Sequence, residues 1–192
     1  ENVSFKGRIK SKGGNSVTAG IAGTNAMSLV KRAYVEADIW VKSGQNAGML
    51  VAQNFTNYSG AGWGNWGKLT QSVAKGKLED AGSRNAAGIA ASIWPYGTIN
   101  DTVSYATVVN GKELFSSDNE ITDAWMGQKL QNLFGVQGQS SGTKTGKDTK
   151  FRRLTEAEAE QKVKSYRITA LEETSANEVT TEKLNVAILK TS

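Results

Sequence analysis

The feature that most constrains the fold is a series of short segments in which apolar and polar residues alternate, each bounded by Gly, Asn and Ser. Residues 3–10 alternate in this way. Residues 34–41 do so most cleanly: Val35, Ala37, Ile39 and Val41 share one face, and Tyr34, Glu36, Asp38 and Trp40 share the other. A period of two marks a strand with one buried and one wet face, because successive side chains point to opposite sides. Residues 11–16 and 43–48 are rich in turn formers. The apolar stretch 49–52 follows the second cluster, so 34–55 is expected to form an antiparallel hairpin. Asn110-Gly111 lies between two β-rich runs within 103–115. It predicts a second hairpin closed by a type I′ turn, whose two central residues need positive φ. Residues 17–23, 69–73, 86–94 and 166–171 are further strand candidates, with 184–189 as a closing strand and 75–85 as an excursion between strands. Residues 121–136 fit neither period cleanly.

One helix is expected, near 155–164. Thr155-Glu156-Ala157-Glu158 has the form of a capping box, in which the Thr and the Glu three residues on each satisfy a backbone donor of the other. No internal repeat in the range of about 20 to 50 residues is evident. Short strands at turn spacing with one helix indicate an all-β protein. We expect an antiparallel two-sheet β-sandwich in a single domain over 1–192, with a flexible loop at about 137–150.

Composition removes several chemistries. The chain has no His and no Cys. Cys/His zinc sites, Ser-His-Asp and Cys-His nucleophiles, disulfides and imidazole proton shuttles are therefore absent from it. No run approaches the roughly 18 apolar residues that a membrane-spanning helix needs. The net charge is +5, from basic residues scattered along the chain, so no nucleic-acid partner is expected. The first residue is Glu1, as in a processed mature form or a trimmed chain. A chain without Cys is compatible with export, so a secreted or cell-surface location is expected.

Three groups of residues carry candidate chemistry. Glu36 and Asp38 point the same way from one strand, ~6.6 Å apart along the backbone. Paired carboxylates can serve a glycosidase, but two exposed carboxylates on a wet strand face explain the pattern as well, and no catalytic residue is assigned. Trp63-Gly64-Asn65-Trp66 lies in a Gly-rich segment. There Trp63 and Trp66 offer faces for sugar rings and Asn65 offers a donor and an acceptor. Trp94 and Tyr96 flank Pro95 and are expected to line the same ligand site. Asp118, Asn119, Glu120 and Asp123 offer oxygens to Ca²⁺ but lack the spacing of an EF-hand loop. A calcium site is left open, and no other cofactor is expected.

The strand 34–41, the following Ala47-Gly48-Met49-Leu50-Val51-Ala52-Gln53-Asn54, and Tyr105-Ala106-Thr107-Val108-Val109-Asn110-Gly111-Lys112-Glu113-Leu114 together resemble the concanavalin A-like, laminin-G-like jelly rolls over 32–115. The resemblance implies a jelly-roll sandwich whose concave face takes glycans or protein partners, sometimes with Ca²⁺. Glu36-Ala37-Asp38-Ile39-Trp40 is also similar to the Glu-x-Asp-x-Glu strand of laminarinase-type glycosidases, with Trp40 where that pattern has its last Glu. The expected function is an exported bacterial carbohydrate-binding sandwich that holds a polysaccharide or cell-envelope glycan through Trp63, Asn65, Trp66, Trp94 and Tyr96 without cleaving it. Two alternatives stay open: a structural or protein-interaction module of the cell envelope or matrix, and a laminarinase-type hydrolase.

Overall fold

The computed structural model describes residues 1–14, 16–55, 67–93, 97–111, 129–136 and 151–171. The chain winds as a parallel β-solenoid. Its first rung is β1 (Val3–Ser11), β2 (Val17–Ala19) and β3 (Ala22–Ala26), with β4 (Leu29–Lys31) leading back to the first side. The second rung is β5 (Ala33–Val41), β6 (Gly44–Gly48) and β7 (Val51–Phe55). The third is β8 (Lys68–Asp80), β9 (Ser83–Ala87) and β10 (Ala90–Ile93). Then come β11 (Thr98–Ser104), β12 (Thr107–Val109), β13 (Lys129–Val136), β14 (Phe151–Leu154) and the helix α1 (Glu156–Ser165). The main sheet runs β1-β5-β8-β11-β13-β14, with β4 and β12 also against β8. The other two sheets are β2-β6-β9 and β3-β7-β10. Every pair is parallel.

The antiparallel jelly-roll sandwich is therefore corrected to a parallel stack. Residues 34–55 are three successive sides of one rung, not a hairpin, and 43–48 is largely strand β6 rather than a turn. The expected excursion 75–85 is the end of β8 and the start of β9. β12 pairs in parallel with β8, and residues 112–115, the second strand of the expected hairpin, lie outside the described residues. Asn110 does take positive φ, at 60°, and its side-chain amide donates to the Asp80 carbonyl at 3.0 Å. Gly111 serves close approach instead: a Cβ there would stand 2.8 Å from the Ala86 carbonyl oxygen. After α1 come a turn at Tyr166 and a helical stretch over 169–171, where the Leu171 amide donates to the Ile168 carbonyl at 3.1 Å, rather than the expected strand over 166–171. The loop 137–150, the closing strand 184–189 and the Gly-rich segment 56–66 lie outside the described residues.

A repeat does exist. Val3 stands over Ala33, Tyr34 over Val73, Lys68 over Thr98 and Thr98 over Lys129. The rungs thus follow at 30, 39, 30 and 31 residues. Stacking turns of this kind buries a continuous core that no single turn can bury. Inward columns carry it: Val35 over Ala74, Ile39 over Leu78, and Met49, Leu50 and Ile89 at the corners, all nearly or fully buried.

Polar residues at the corners also stack. Buried Asn25 donates to the Asn54 side chain at 2.7 Å, and Asn54 donates to the carbonyls of Gly67 and Thr98. Asn85 donates to Asn46 at 3.0 Å in the same manner. The Asn25–Asn54 ladder satisfies backbone carbonyls that a buried corner would otherwise strand.

The capping box forms as the sequence predicts. Thr155 Oγ1 accepts from the Glu158 amide at 3.3 Å, and Glu158 Oε2 accepts from the Thr155 amide at 2.8 Å. The helix covers part of the outer face of the main sheet. Tyr34, Val73, Val103 and Phe134 align there across four rungs and pack with Leu154, Ala159, Tyr166, Ile168 and Ala170.

Candidate functional surface

The expected ligand platform cannot be placed on this frame. Trp63, Asn65, Trp66, Trp94 and Tyr96 all lie outside the described residues, and so do Asp118, Asn119, Glu120 and Asp123. Of the sequence-derived candidates, the structure places Glu36 and Asp38. Both project from β5 onto the outer face of the main sheet, beyond the part that α1 covers.

That face is built from charge ladders. Register sets Lys6 over Glu36 over Lys75, Arg8 over Asp38 over Lys77, and Lys10 over Trp40 over Glu79. Glu36 bridges its ladder, 3.6 Å from Lys6 Nζ and 3.6 Å from Lys75 Nζ. Arg8 lies 3.8 Å from Asp38, and Lys77 lies 2.7 Å from Glu79. Lys10 Nζ sits 5.0 Å from the centre of the Trp40 ring. The first two ladders therefore alternate cation, anion, cation, and the third runs cation, aromatic ring, anion. In a parallel stack identical positions lie ~4.8 Å apart, and like charges there would repel.

The electrostatics argue against acid–base work by Glu36. Burial pushes the Glu36 carboxyl upward, but the hydrogen bond from the Tyr34 hydroxyl at 2.9 Å and the ammonium groups of Lys75 and Lys6 outweigh it. Its pKa ends below the ordinary carboxylate value. A glycosidase acid needs the opposite shift, upward toward neutrality. Beneath the helix, burial pushes the hydroxyls of Tyr34 and Tyr166 well up, and that of Tyr105 up to about 12. Lys162 of α1 reaches Asp101 at 3.5 Å and lies 4.6 Å from the centre of the Phe134 ring.

A comparison with curated proteins bears on function. The chain is 36% identical over 166 residues to the zinc metalloprotease ZmpB of Streptococcus pneumoniae, an alignment that covers 85% of this chain and 9% of the relative. The chain thus spans less than a tenth of the length of the relative it matches. No family model matches the chain, and no solved structure matches it.

This likeness to a segment of a zinc metalloprotease overturns the carbohydrate-binding reading. It also raises the question of zinc, and the residues here do not fit that ion. The chain has neither His nor Cys, the nitrogen and sulfur ligands that zinc-peptidase sites draw on. Among the described residues no three carboxylates gather into a group able to hold a metal. Calcium gains no support either. Among the described residues no helix is long and apolar enough to cross a membrane.

Sequence reasoning missed the basic edge Lys6, Arg8 and Lys10. Its signal was present in the Lys-x-Arg-x-Lys alternation of 6–10. Without knowing that β5 pairs in register beside it, that alternation reads only as a wet strand face.

Proposed function

We propose that the chain works in proteolysis, as a β-solenoid segment of a zinc-metalloprotease-type polypeptide that positions a protein substrate for a catalytic centre held elsewhere. The observation that carries this reading is the 36% identity to a zinc metalloprotease over 85% of the chain. The solenoid supports it physically. Rungs stacked by main-chain hydrogen bonds and an apolar interior make a stiff, quasi-one-dimensional rod with a broad ordered face. Positioning is the part such a chain can play without His or Cys, because orientation alone supplies a large share of a rate enhancement. An exported or cell-surface location goes with this reading, and the absence of Cys is compatible with it.

The test is a chimera in which this chain replaces the matching segment of the Streptococcus pneumoniae enzyme. Peptidase activity is expected to stay within a few-fold of the parent, while deletion of the segment raises KM with little change in kcat. A chimera no better than the deletion would overturn the reading. So would the chain alone, supplied with Zn²⁺, if it bound the ion tightly and hydrolysed peptides.

A further inference from the structure

The corner that joins the main sheet to the β2-β6-β9 sheet carries a glycine turn flanked by lysines. After β1 it reads Lys12-Gly13-Gly14, and after β5, on the next rung, it reads Lys42-Ser43. The third rung has Ala81 and Gly82 there, both exposed. The stacking is direct: Ser11 stands over Val41, and the Lys42 amide donates to the Ser11 carbonyl at 2.9 Å. Lys12 and Lys42 are both exposed and start from adjacent rungs, ~4.8 Å apart. Among the described residues neither has an ion-pair partner. The carboxylates on the strands that lead into this corner are engaged: Asp38 with Arg8, Glu79 with Lys77, and Asp80 with the amides of Gly82 and Ser83. The corner thus departs from the wet face beside it, where carboxylates or the Trp40 ring answer the cations.

Three hydroxyls fix the turn. Ser43 Oγ and Ser16 Oγ donate to the Gly13 carbonyl at 3.1 and 3.3 Å. Ser11 Oγ lies 3.1 Å from Ser16 Oγ and donates to it, since the proton of Ser16 is committed. The Gly13–Gly14 peptide is trans, and in a trans peptide the carbonyl and the following amide point opposite ways. With its carbonyl held by the serines, that peptide turns the Gly14 amide away from them. A Cβ at Gly13 or Gly14 would meet no heavy atom within 4 Å beyond the adjoining residues, so the space beside the turn is open.

We propose that this corner binds a phosphate group, held by the Gly14 amide and the ammonium groups of Lys12 and Lys42. A backbone amide at a bare glycine turn is a donor that an anion can approach closely. Two cations stacked without a counter-charge repel one another, and a dianion relieves that repulsion more than a single carboxylate does. The group can arrive as the free ion or as an ester on a larger molecule. The inference goes beyond the protease reading and does not depend on it.

The experiment titrates the isotope-labelled chain with inorganic phosphate at neutral pH and constant ionic strength. The amide shifts are expected to be largest at Gly13 and Gly14. Lys12→Gln/Lys42→Gln should weaken binding at least about tenfold while circular dichroism stays unchanged. Lys164→Gln, an exposed lysine of α1, should leave it as it was. Glycerol phosphate separates the two sources: binding within a few-fold of inorganic phosphate marks an ester-bearing ligand, exclusion marks the free ion, and either agrees with the proposal. Acetate binding as tightly as phosphate overturns it. So does an unchanged affinity in the double variant, or a set of shifts spread over the exposed lysines with no maximum at the turn. If the double variant fails to fold, the shift pattern and the acetate comparison on the unaltered chain decide the matter.

Discussion

Two cation–π pairs stand on the outer face of the main sheet, in opposite surroundings. Lys162 lies 4.6 Å from the centre of the Phe134 ring, in the part covered by α1, where Phe134 is 8% exposed. Lys10 lies 5.0 Å from the centre of the Trp40 ring, in the wet part, among ladders whose charged side chains are well exposed. The strands are the same in both halves. What differs is the outward residue: Tyr34, Val73, Val103 and Phe134 in one, and Lys, Arg, Glu and Asp in most positions of the other. The covered half is held by area removed from water, and the wet half by screened charge. The first kind of contact is worth kilocalories per side chain, while exposed ion pairs contribute roughly 0 to 1 kcal/mol each.

The largest expected effect breaks the covered half. Phe134→Ala removes a buried ring from beneath Lys162 and α1, and should cost about 3 kcal/mol or more in urea unfolding. Trp40→Ala should cost about 1 kcal/mol or less, since its ring is partly exposed already. Equal costs would erase the distinction between the halves.

Alkali should act on the same half next. Burial pushes the Tyr105 hydroxyl up to about 12, with the charges of Glu160 and Glu156 adding to it. Burial also raises the hydroxyls of Tyr34 and Tyr166. A raised phenol pKa contributes stability that is whole below the unfolded value of about 10, and that is lost as pH rises through the folded one. After allowance for screening, about 1 kcal/mol should disappear between pH ~10 and ~12. Exchange of the α1 amides should quicken there before that of β5 and β8. Simultaneous loss of both would show that the helix is no separate cover.

A smaller effect tests how α1 is tied down. Thr155→Ala removes one arm of the capping box and should cost about 1 kcal/mol. Thr155→Ser should restore most of it. An unchanged denaturation midpoint in the Ala variant would mean that packing alone fixes the helix start.

These contrasts also show what was legible in the sequence. The capping box was, because both of its partners lie within four residues. The inward set Val35, Ala37, Ile39 and Val41 was too, because alternation is local. Strand direction was not. A solvated parallel sheet alternates just as an antiparallel one does, whereas the continuous apolar runs that betray parallel strands arise only where both faces are buried. The repeat was hidden by unequal spacing, with 39 residues from Tyr34 to Val73 against 30 from Val3 to Ala33. Asn25 over Asn54 and Asn46 over Asn85 were the traces that such a search needed. The Trp-based platform rested on composition rather than on pattern, and its residues fall outside the described ones.

The smallest effect lies in the wet half and depends on the sign of one titration. Glu36 accepts from Tyr34 and stands between Lys6 and Lys75, and these contacts outweigh the opposing effect of burial and hold its pKa below 4.5. A depressed carboxyl pKa contributes stability that is present above the unfolded value and lost as pH falls through the folded one. Its side chain is 37% exposed, so screening leaves about 0.5 kcal/mol. Glu36→Gln should therefore lower stability by roughly that amount at pH 7. As pH falls through the lowered pKa of the native carboxyl, the two proteins should approach one another. Added salt should shrink the difference at pH 7, because both of its cations are partly exposed. A cost that persists unchanged at low pH and high salt would mean that the Tyr34 hydrogen bond, which Gln can also accept, is not what Glu36 is there to make, and that its shape rather than its charge fills the ladder.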